Sequence, residues 1–301
     1  MKEVQAAEPV VTLWTSKDSP RAIDEKIICA TSCYEEWLEQ LSYNERLALC
    51  TENRVQSQVL FGEAVLIIQE VGKWAEVLLP NQPTTKHKEG YPGWIPLCQL
   101  QELSPPNTNT VRISSTVAPL FTEKHQKWLT LSFGTELAVV EDEEYVIHVD
   151  TPLGTGIVKR TDIEEGPRER TGEALLKSAR QFIGLPYLWG GMSGFGFDCS
   201  GFVYAIHRAS GILIPRDASN QVLTGEIVDT SRPAIGDLLY FGHDNGTGAI
   251  HHVAMYAGNG EMIHAPKTGK TVEQIHLAGT IYEKELCAVR RFLSAPSWRD
   301  I

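Results

Sequence analysis

Asp198-Cys199-Ser200-Gly201-Phe202 follows the glycine-rich run Gly190-Gly191-Met192-Ser193-Gly194 and opens an apolar stretch, and its reading decides the C-terminal fold. From Asp198 to Ala209 the apolar residues Phe202, Val203, Ile206 and Ala209 recur at helical spacing, Asp198 fits an N-cap, and Gly211 offers a left-handed stop. Cys199 therefore falls in the first turn of a helix. Unpaired amides and the macrodipole favour an anion there, which is expected to lower the thiol pKa and supply thiolate at neutral pH. The competing reading is a small buried thiol. A phosphate-cradling loop is not indicated, because Asp198 would place negative charge beside the phosphate and no P-loop lysine follows.

Further along, Ile250-His251-His252-Val253-Ala254-Met255-Tyr256 and Glu261-Met262-Ile263-His264-Ala265 flank Ala257-Gly258-Asn259-Gly260, the pattern of a β-hairpin. A turn centred on Gly258 pairs His252 with His264 directly across the strands, where Cβ atoms lie roughly 4.5 to 5.5 Å apart. Alternation puts His252, Ala254 and Tyr256 on one face and His251, Val253 and Met255 on the other, so only one of the adjacent histidines can face the thiol. A nucleophile, a base and an orienting group then read as Cys199, His252 and His264, the set required for acyl transfer. Taken singly, each histidine also reads as a satisfied structural residue.

With these residues in view, the chain resembles the NlpC-type peptidoglycan endopeptidases, papain-like cysteine peptidases that cut murein peptides. The segments that carry the resemblance run in the family's order over about residues 170–294. They are Gly184-Leu185-Pro186-Tyr187-Leu188-Trp189-Gly190-Gly191, Phe197-Asp198-Cys199-Ser200-Gly201-Phe202, Ile214-Pro215-Arg216-Asp217, Pro233-Ala234-Ile235-Gly236-Asp237-Leu238-Leu239-Tyr240-Phe241, His252-Val253-Ala254-Met255-Tyr256 and Ile263-His264-Ala265-Pro266. The resemblance implies Cys199 as nucleophile, His252 as base, His264 as the orienting polar residue and Tyr187 beside the oxyanion site. It implies attack on an amide carbonyl, collapse of a tetrahedral oxyanion and hydrolysis of a thioester. The Cys199 amide and the Tyr187 hydroxyl become candidate oxyanion donors, with simple packing as the other reading of Tyr187.

A papain-like domain of roughly 125 residues leaves much of this 301-residue chain for other domains. Short β-rich runs fill the first 165 residues, among them Val10-Val11-Thr12-Leu13-Trp14, Ala64-Val65-Leu66-Ile67-Ile68 and Gly93-Trp94-Ile95-Pro96, at the spacing of a small barrel. Leu60-Phe61-Gly62-Glu63-Ala64-Val65, followed by Lys73-Trp74 and Gly93-Trp94-Ile95-Pro96, resembles the bacterial SH3-like fold. A weaker copy repeats the Phe-Gly element at Phe133-Gly134. The expected architecture is multidomain: two small all-β SH3-like barrels at 1–103 and 107–165, then an α+β papain-like domain at 168–301. Tyr34, Trp37, Leu38, Leu41 and Leu47 suit short amphipathic helices inserted in the first barrel near 31–50. Ser104-Pro105-Pro106-Asn107 and Glu164-Glu165-Gly166-Pro167 read as joins. Thr171 is expected to cap a helix over 172–183, closed by Gly184.

Residues 1–8 contain no apolar core of secretory length and no stretch approaches a membrane span, so the chain is expected to be cytoplasmic unless a signal has been removed from its precursor. The cysteines at 29, 33, 50, 98, 199 and 287 are expected to form no disulfides. Cys29 and Cys33 lack the second ligand pair of a zinc site, and neither a metal nor an organic cofactor is expected. Thirty-eight acids against 27 Lys plus Arg, a net charge of −11 with the nine histidines neutral, argue against nucleic acid as a partner.

Members of the NlpC-type family with two SH3-like domains and no signal include enzymes that hydrolyse the γ-D-glutamyl to L-diamino acid bond of murein peptides, especially those with a free N-terminal L-alanine. The resemblance implies that activity here, with L-Ala-γ-D-Glu-L-Lys or its meso-diaminopimelate form as ligand; separately, the protein is expected to be a monomer. The resemblance also implies that Glu63, Tyr91 and Asp217 hold the ligand's ammonium, since a free amine at a groove end needs carboxylates. Trp189, Asp198, Ser200 and Arg216 are the other candidate substrate contacts. Each has a structural alternative: Glu63 as a turn acid, Tyr91 packing beside Pro92, Asp198 as a cap, Trp189 as core, and Ser200 and Arg216 as a cap or buried pair. Ala218 stands where relatives often carry a hydroxyl residue. The alternatives in function are an SH3-mediated wall-binding protein with a broad or inactive papain-like domain, and an amidase or acyltransferase on the same fold.

Overall fold

The computed structural model describes residues 1–104, 109–166 and 168–293 and divides them into two compact units. Pro105, Pro106, Asn107 and Pro167 of the expected joins, and the end of the chain beyond 293, lie outside the described residues.

Unit 1 holds two seven-stranded antiparallel sheets. In the first, the strands run Val55–Leu60, Val10–Trp14, Tyr91–Pro96, Trp74–Leu79, Ala64–Val71, Lys2–Ala6 and Leu100–Glu102 across the sheet. The second runs Lys127–Ser132, Val117–Thr122, Gly156–Lys159, Val146–Asp150, Glu136–Asp142, Thr110–Ile113 and Ile163–Glu164. Numbered within each copy, both orders are 3-2-6-5-4-1-7, so the second sheet is a topological repeat of the first. The repeat reaches individual side chains. A Cβ on Gly93 would lie 2.5 Å from Leu13 Cγ, and one on Gly156 would lie 2.7 Å from Leu120 Cδ1. At both places a sixth strand meets a second strand where only glycine lets the leucine pass.

Between the second and third strands of the first copy the chain inserts Ala22–Ile27, Tyr34–Gln40 and Tyr43–Thr51. The insertion therefore begins nearer residue 22 than 31, with a 3₁₀ turn whose Asp24 accepts from the Trp37 indole N–H at 2.9 Å. Ser42 and Glu45 form the capping box of the last helix. Strand Lys2–Ala6, with only Val4, Gln5 and Ala6 buried, gives no clear alternation in sequence and was not anticipated; its pairing with Ala64–Ile67 is what orders it. Phe61 is buried within the core of the second barrel, against residues such as Ile113, Leu120 and Leu131.

Unit 2 is an antiparallel six-stranded sheet ordered Glu226–Val228, Leu286–Arg291, Leu238–Gly242, Ile250–Gly258, Glu261–His264 and Glu273–His276. Helix Cys199–Ala209 packs on strand Ile250–Gly258, and helix Gly172–Arg180 packs on that helix. The Thr171 hydroxyl accepts from Ala174 N–H as the expected cap. The helix stops at Arg180, short of residue 183, and Gly184 at φ +91° completes the turn that follows. Leu175, Leu176 and Ala179 form its buried face, and Phe182 is buried in the turn that follows. Segment 82–91, which precedes the sixth strand of the first copy, packs as part of unit 2. Among the described residues no helix is long and apolar enough to cross a membrane.

Candidate active site

The nucleophile helix starts where the sequence places it. Asp198 is the N-cap, with Gly201 N–H donating to its Oδ1 at 2.6 Å, and Gly211 takes φ +72° just past the end. The rest of the Asp198 carboxylate is also engaged. It accepts from Gly190 N–H at 2.9 Å, Ser200 Oγ at 3.2 Å, and the Arg216 guanidinium at 3.1 and 2.8 Å. Arg216, 1% exposed, donates to Ser200 Oγ as well, at 3.0 Å. Asp198, Ser200 and Arg216 therefore form one buried network that anchors the helix start. The Arg216 guanidinium, a candidate substrate contact from sequence, closes on Asp198, because a buried guanidinium must be paired.

The base strand departs from the expected register. Asn259 and Gly260, at φ +52° and +75°, form a two-residue turn closed by the Gly258–Glu261 pair, and Ala257 is an extra residue that bulges the strand. Beyond the bulge Met255 pairs with Ile263, so His264 falls opposite Ala254 and the direct pairing with His252 is wrong by two residues. The histidines are diagonal neighbours on one face. His252 Nε2 lies 2.8 Å from His264 Nδ1, with ring centroids 5.0 Å apart. His251 points the other way, to Glu285 at 3.1 Å and a stacked His243. Both His252 and His264 are buried, and Phe241 and Tyr282 pack on the His252 ring.

The Cys199 thiol is held by backbone hydrogen bonds from Val253, the residue after His252, and from Ser200. His252 Nε2 is occupied by His264, so Nδ1 is the nitrogen left for a thiol proton. Burial pushes the thiol up to about 12 and the adjacent Asp198 charge adds to this, outweighing the two backbone bonds. The expectation of a lowered thiol pKa is thus reversed: a helix N-terminus lowers a thiol by a modest amount, whereas desolvation of the anion costs more. Burial likewise holds His252 well below 6.5, aided by His264 and His251, and brings His264 to about 4. The Cys199 thiol and the His252 imidazole are thus both held in their neutral forms at neutral pH. Alkylation of Cys199 by iodoacetamide, followed by peptide mass spectrometry, is expected to rise about tenfold per pH unit from pH 7 to 9, and a plateau already at pH 7 would reveal a standing thiolate. Neutral His252 is the proton-accepting form, so kcat/KM should hold as pH falls through 6.5 and decline only well below that value.

Tyr187 is buried and its backbone bridges Phe197, two residues ahead of Cys199; Trp189 is half-buried. Tyr91 and Asp217 come together, with the tyrosine hydroxyl 3.0 Å from both carboxylate oxygens. Lys86 joins them: its ammonium meets the Tyr91 hydroxyl, lies 4.1 Å over the Tyr91 ring centroid and is 3.2 Å from Asp217 Oδ2. Segment 82–91 is secured by Asn220 Oδ1, which accepts from Thr85 N–H at 3.0 Å. Glu63 belongs to unit 1, where it is buried at 8% exposure in the turn before strand Ala64–Val71, its carbonyl accepting from Ala6 N–H. Lys86, Tyr282 and Glu273, which lies 3.4 Å from His264 Nε2, were missed from sequence. None of the three had a clear signal: Val272-Glu273-Gln274-Ile275-His276 does not alternate, and its apolar residues are three apart.

A sheet carrying two joined histidines, packed under a helix that begins with cysteine, defines a papain-like peptidase fold, and comparison agrees. The family model described as NlpC/P60 family matches residues 184–291, and one described as YKFC SH3b2 domain matches residues 113–165. The chain is 46% identical over 287 residues to the gamma-D-glutamyl-L-lysine dipeptidyl-peptidase of Bacillus subtilis (strain 168), covering 95% of this chain and 97% of that one. It is 38% identical over 297 residues to the protein of the same name from Bacillus cereus (strain ATCC 10987 / NRS 248), covering 94% and 88%. The crystal structure of an NlpC/P60 family protein from Bacillus cereus ATCC 10987 matches with a TM-score of 0.92 at 35% identity, over 97% of this chain and 100% of that one. The chain belongs to the NlpC/P60 family, with SH3b-like β domains preceding its catalytic domain.

Proposed function

We propose that this chain is a cysteine peptidase that hydrolyses the γ-D-glutamyl to L-diamino acid bond of murein peptides bearing a free N-terminal L-alanine. The observation that carries the reading is the ammonium of Lys86 held by Tyr91 and Asp217, next in sequence to the Arg216 that anchors the cap of the Cys199 helix. A carboxylate and a phenol that already hold one primary ammonium offer the same contacts to an N-terminal amine. The names of the relatives at 46% and 38% identity support the bond cleaved.

In the proposed reaction Cys199 Sγ attacks the γ-carbonyl carbon as His252 Nδ1 takes the thiol proton. The oxyanion is met by the Cys199 N–H at the helix start, and by the Tyr187 hydroxyl as second donor. Collapse breaks the C–N bond, His252 returns the proton to the leaving amine, and water activated by His252 hydrolyses the thioester. Release of L-Ala-D-Glu from a free-amine peptide suits recycling of fragments already cut from the wall; the site of action proposed for this reading is the cytoplasm, which cell fractionation tests.

The direct test incubates the protein with L-Ala-γ-D-Glu-L-Lys, its meso-diaminopimelate counterpart and the N-acetylated form of each, with fragments identified by mass spectrometry. Release of L-Ala-D-Glu from the free amines alone is expected, and the two free peptides rank the diamino acids. Equal cleavage of the acetylated peptides would overturn the amine requirement. Lys86 competes for the position proposed for the substrate amine, so Lys86→Met should lower KM with kcat unchanged. The Lys86 side chain is 41% exposed, and an exposed ion pair is worth about 0.2 to 1 kcal/mol, so the fall in KM should not exceed about fivefold.

A further inference from the structure

The contact between His252 and His264 leaves one thing undetermined, namely which ring donates. Two neutral imidazoles sharing a single N···N hydrogen bond have two arrangements. In one, His252 Nε2–H donates to His264 Nδ1, which leaves a lone pair on His252 Nδ1. In the other, His264 Nδ1–H donates to His252 Nε2, which puts the His252 proton on Nδ1 and makes that nitrogen useless as a base. Both rings are buried, and burial holds both neutral, so no charge on either ring chooses between the two.

The choice is made one strand further out. Glu273 is the direct cross-strand partner of His264, and its Oε1 lies 3.4 Å from His264 Nε2. That nitrogen is buried and has no hydrogen-bond partner; the carboxylate is within ion-pair distance of it but not in line. An ionised carboxylate only accepts. It attracts a proton on His264 Nε2 and repels a lone pair there. With the proton on Nε2, His264 Nδ1 must accept, His252 must donate from Nε2, and His252 Nδ1 is bare.

We propose that Glu273 is a positioning residue that fixes the His264 tautomer, and through it the proton-accepting tautomer of His252. The inference rests on the reading of Cys199 and His252 as nucleophile and base, and extends the working set to Cys199–His252–His264–Glu273. Once His252 has taken the thiol proton, the same carboxylate lies on the far side of His264 from the new imidazolium and favours it electrostatically. Glu273 side-chain exposure of 42% moderates that second effect and leaves the tautomer preference as the main one.

The test uses Glu273→Gln in the full chain, because an amide of the same shape can donate or accept and so removes the preference without removing the side chain. Imidazole ¹⁵N NMR at pH 8, with His264 signals identified from their loss in His264→Asn, should show His264 protonated on Nε2 in the parent and a mixture of tautomers in Glu273→Gln. Steady-state kinetics on L-Ala-γ-D-Glu-L-Lys should show kcat reduced about tenfold with KM within about twofold of the parent. In a His264→Asn background, where the orienting group is an amide with no ring tautomer, adding Glu273→Gln should change kcat by less than about twofold. An unchanged His264 tautomer in Glu273→Gln, or an equal fall in kcat with and without His264→Asn, would overturn the proposal. The NMR measurement repeated in Cys199→Ala reads the tautomer without catalysis, so failure of the peptidase reading is separable from failure of this one.

Discussion

His252→Ala is expected to lower kcat at least about 10²-fold at pH 7 while Cys199 and the fold remain. The loss follows from the thiol. Desolvation and the neighbouring Asp198 charge hold the Cys199 thiol above its ordinary value, so at pH 7 it is neutral and attack depends on a base that removes the proton in the transition state. With His252 gone, reaction proceeds only through the small thiolate fraction. Residual activity should then climb about tenfold per pH unit, a slope the parent enzyme lacks. Single-turnover rates between pH 7 and 10, with thermal unfolding as the control for folding, check both the magnitude and the slope. A variant that kept more than about one per cent of parental kcat would remove His252 from the role of base.

Gly201→Ala carries the second large effect, in stability as well as rate. A Cβ at this position would lie 2.0 Å from the Gly191 carbonyl oxygen and 3.0 Å from both Asp198 Oδ1 and Arg216 Nη2. None of these can retreat easily. Gly191 O is already accepting from Asp198 N–H at 3.1 Å, and Gly201 N–H donates to Asp198 at 2.6 Å. The methyl must therefore push apart the helix start and the glycine turn, breaking the cap and loosening the buried Asp198–Arg216 pair. Overpacking costs about 1 to 3 kcal/mol and disruption of a buried ion pair about 3 to 5, so a loss of 4 kcal/mol or more is expected. Urea unfolding together with kcat measures it, and a midpoint equal to the parent's would show that the glycine is not needed for this close approach.

The parts of this molecule legible in sequence were those written in local periodicity and capping. The helix of Cys199, its Asp198 cap, its Gly211 stop, the outward turn of His251 and the tandem barrels all follow from patterns a few residues long. What stayed hidden depends on partners distant in sequence. Strand Lys2–Ala6 exists because residues 64–67 lie beside it, and neither Lys86 nor Asp217 announces the other across 131 residues. The thiol pKa was misread for a related reason. The sequence displays the helix end that favours an anion, and says nothing of the burial that disfavours it more. Glu273 lies in a short strand without apolar alternation, and its place beside His264 is a fact of sheet order.

The bulge at Ala257 has a further consequence for how this hairpin tolerates change. Were Ala257 paired instead of bulged, with the Asn259-Gly260 turn unchanged, Met255 would stand across from His264, and the two imidazoles would emerge on opposite sides of the sheet. The extra residue therefore sets the parity that keeps both rings on one face. Deleting Ala257 alone would close the bulge and leave Ala254 opposite His264, whereas a single-residue insertion or deletion within 253–256 slides the strand by one position and turns the rings to opposite sides.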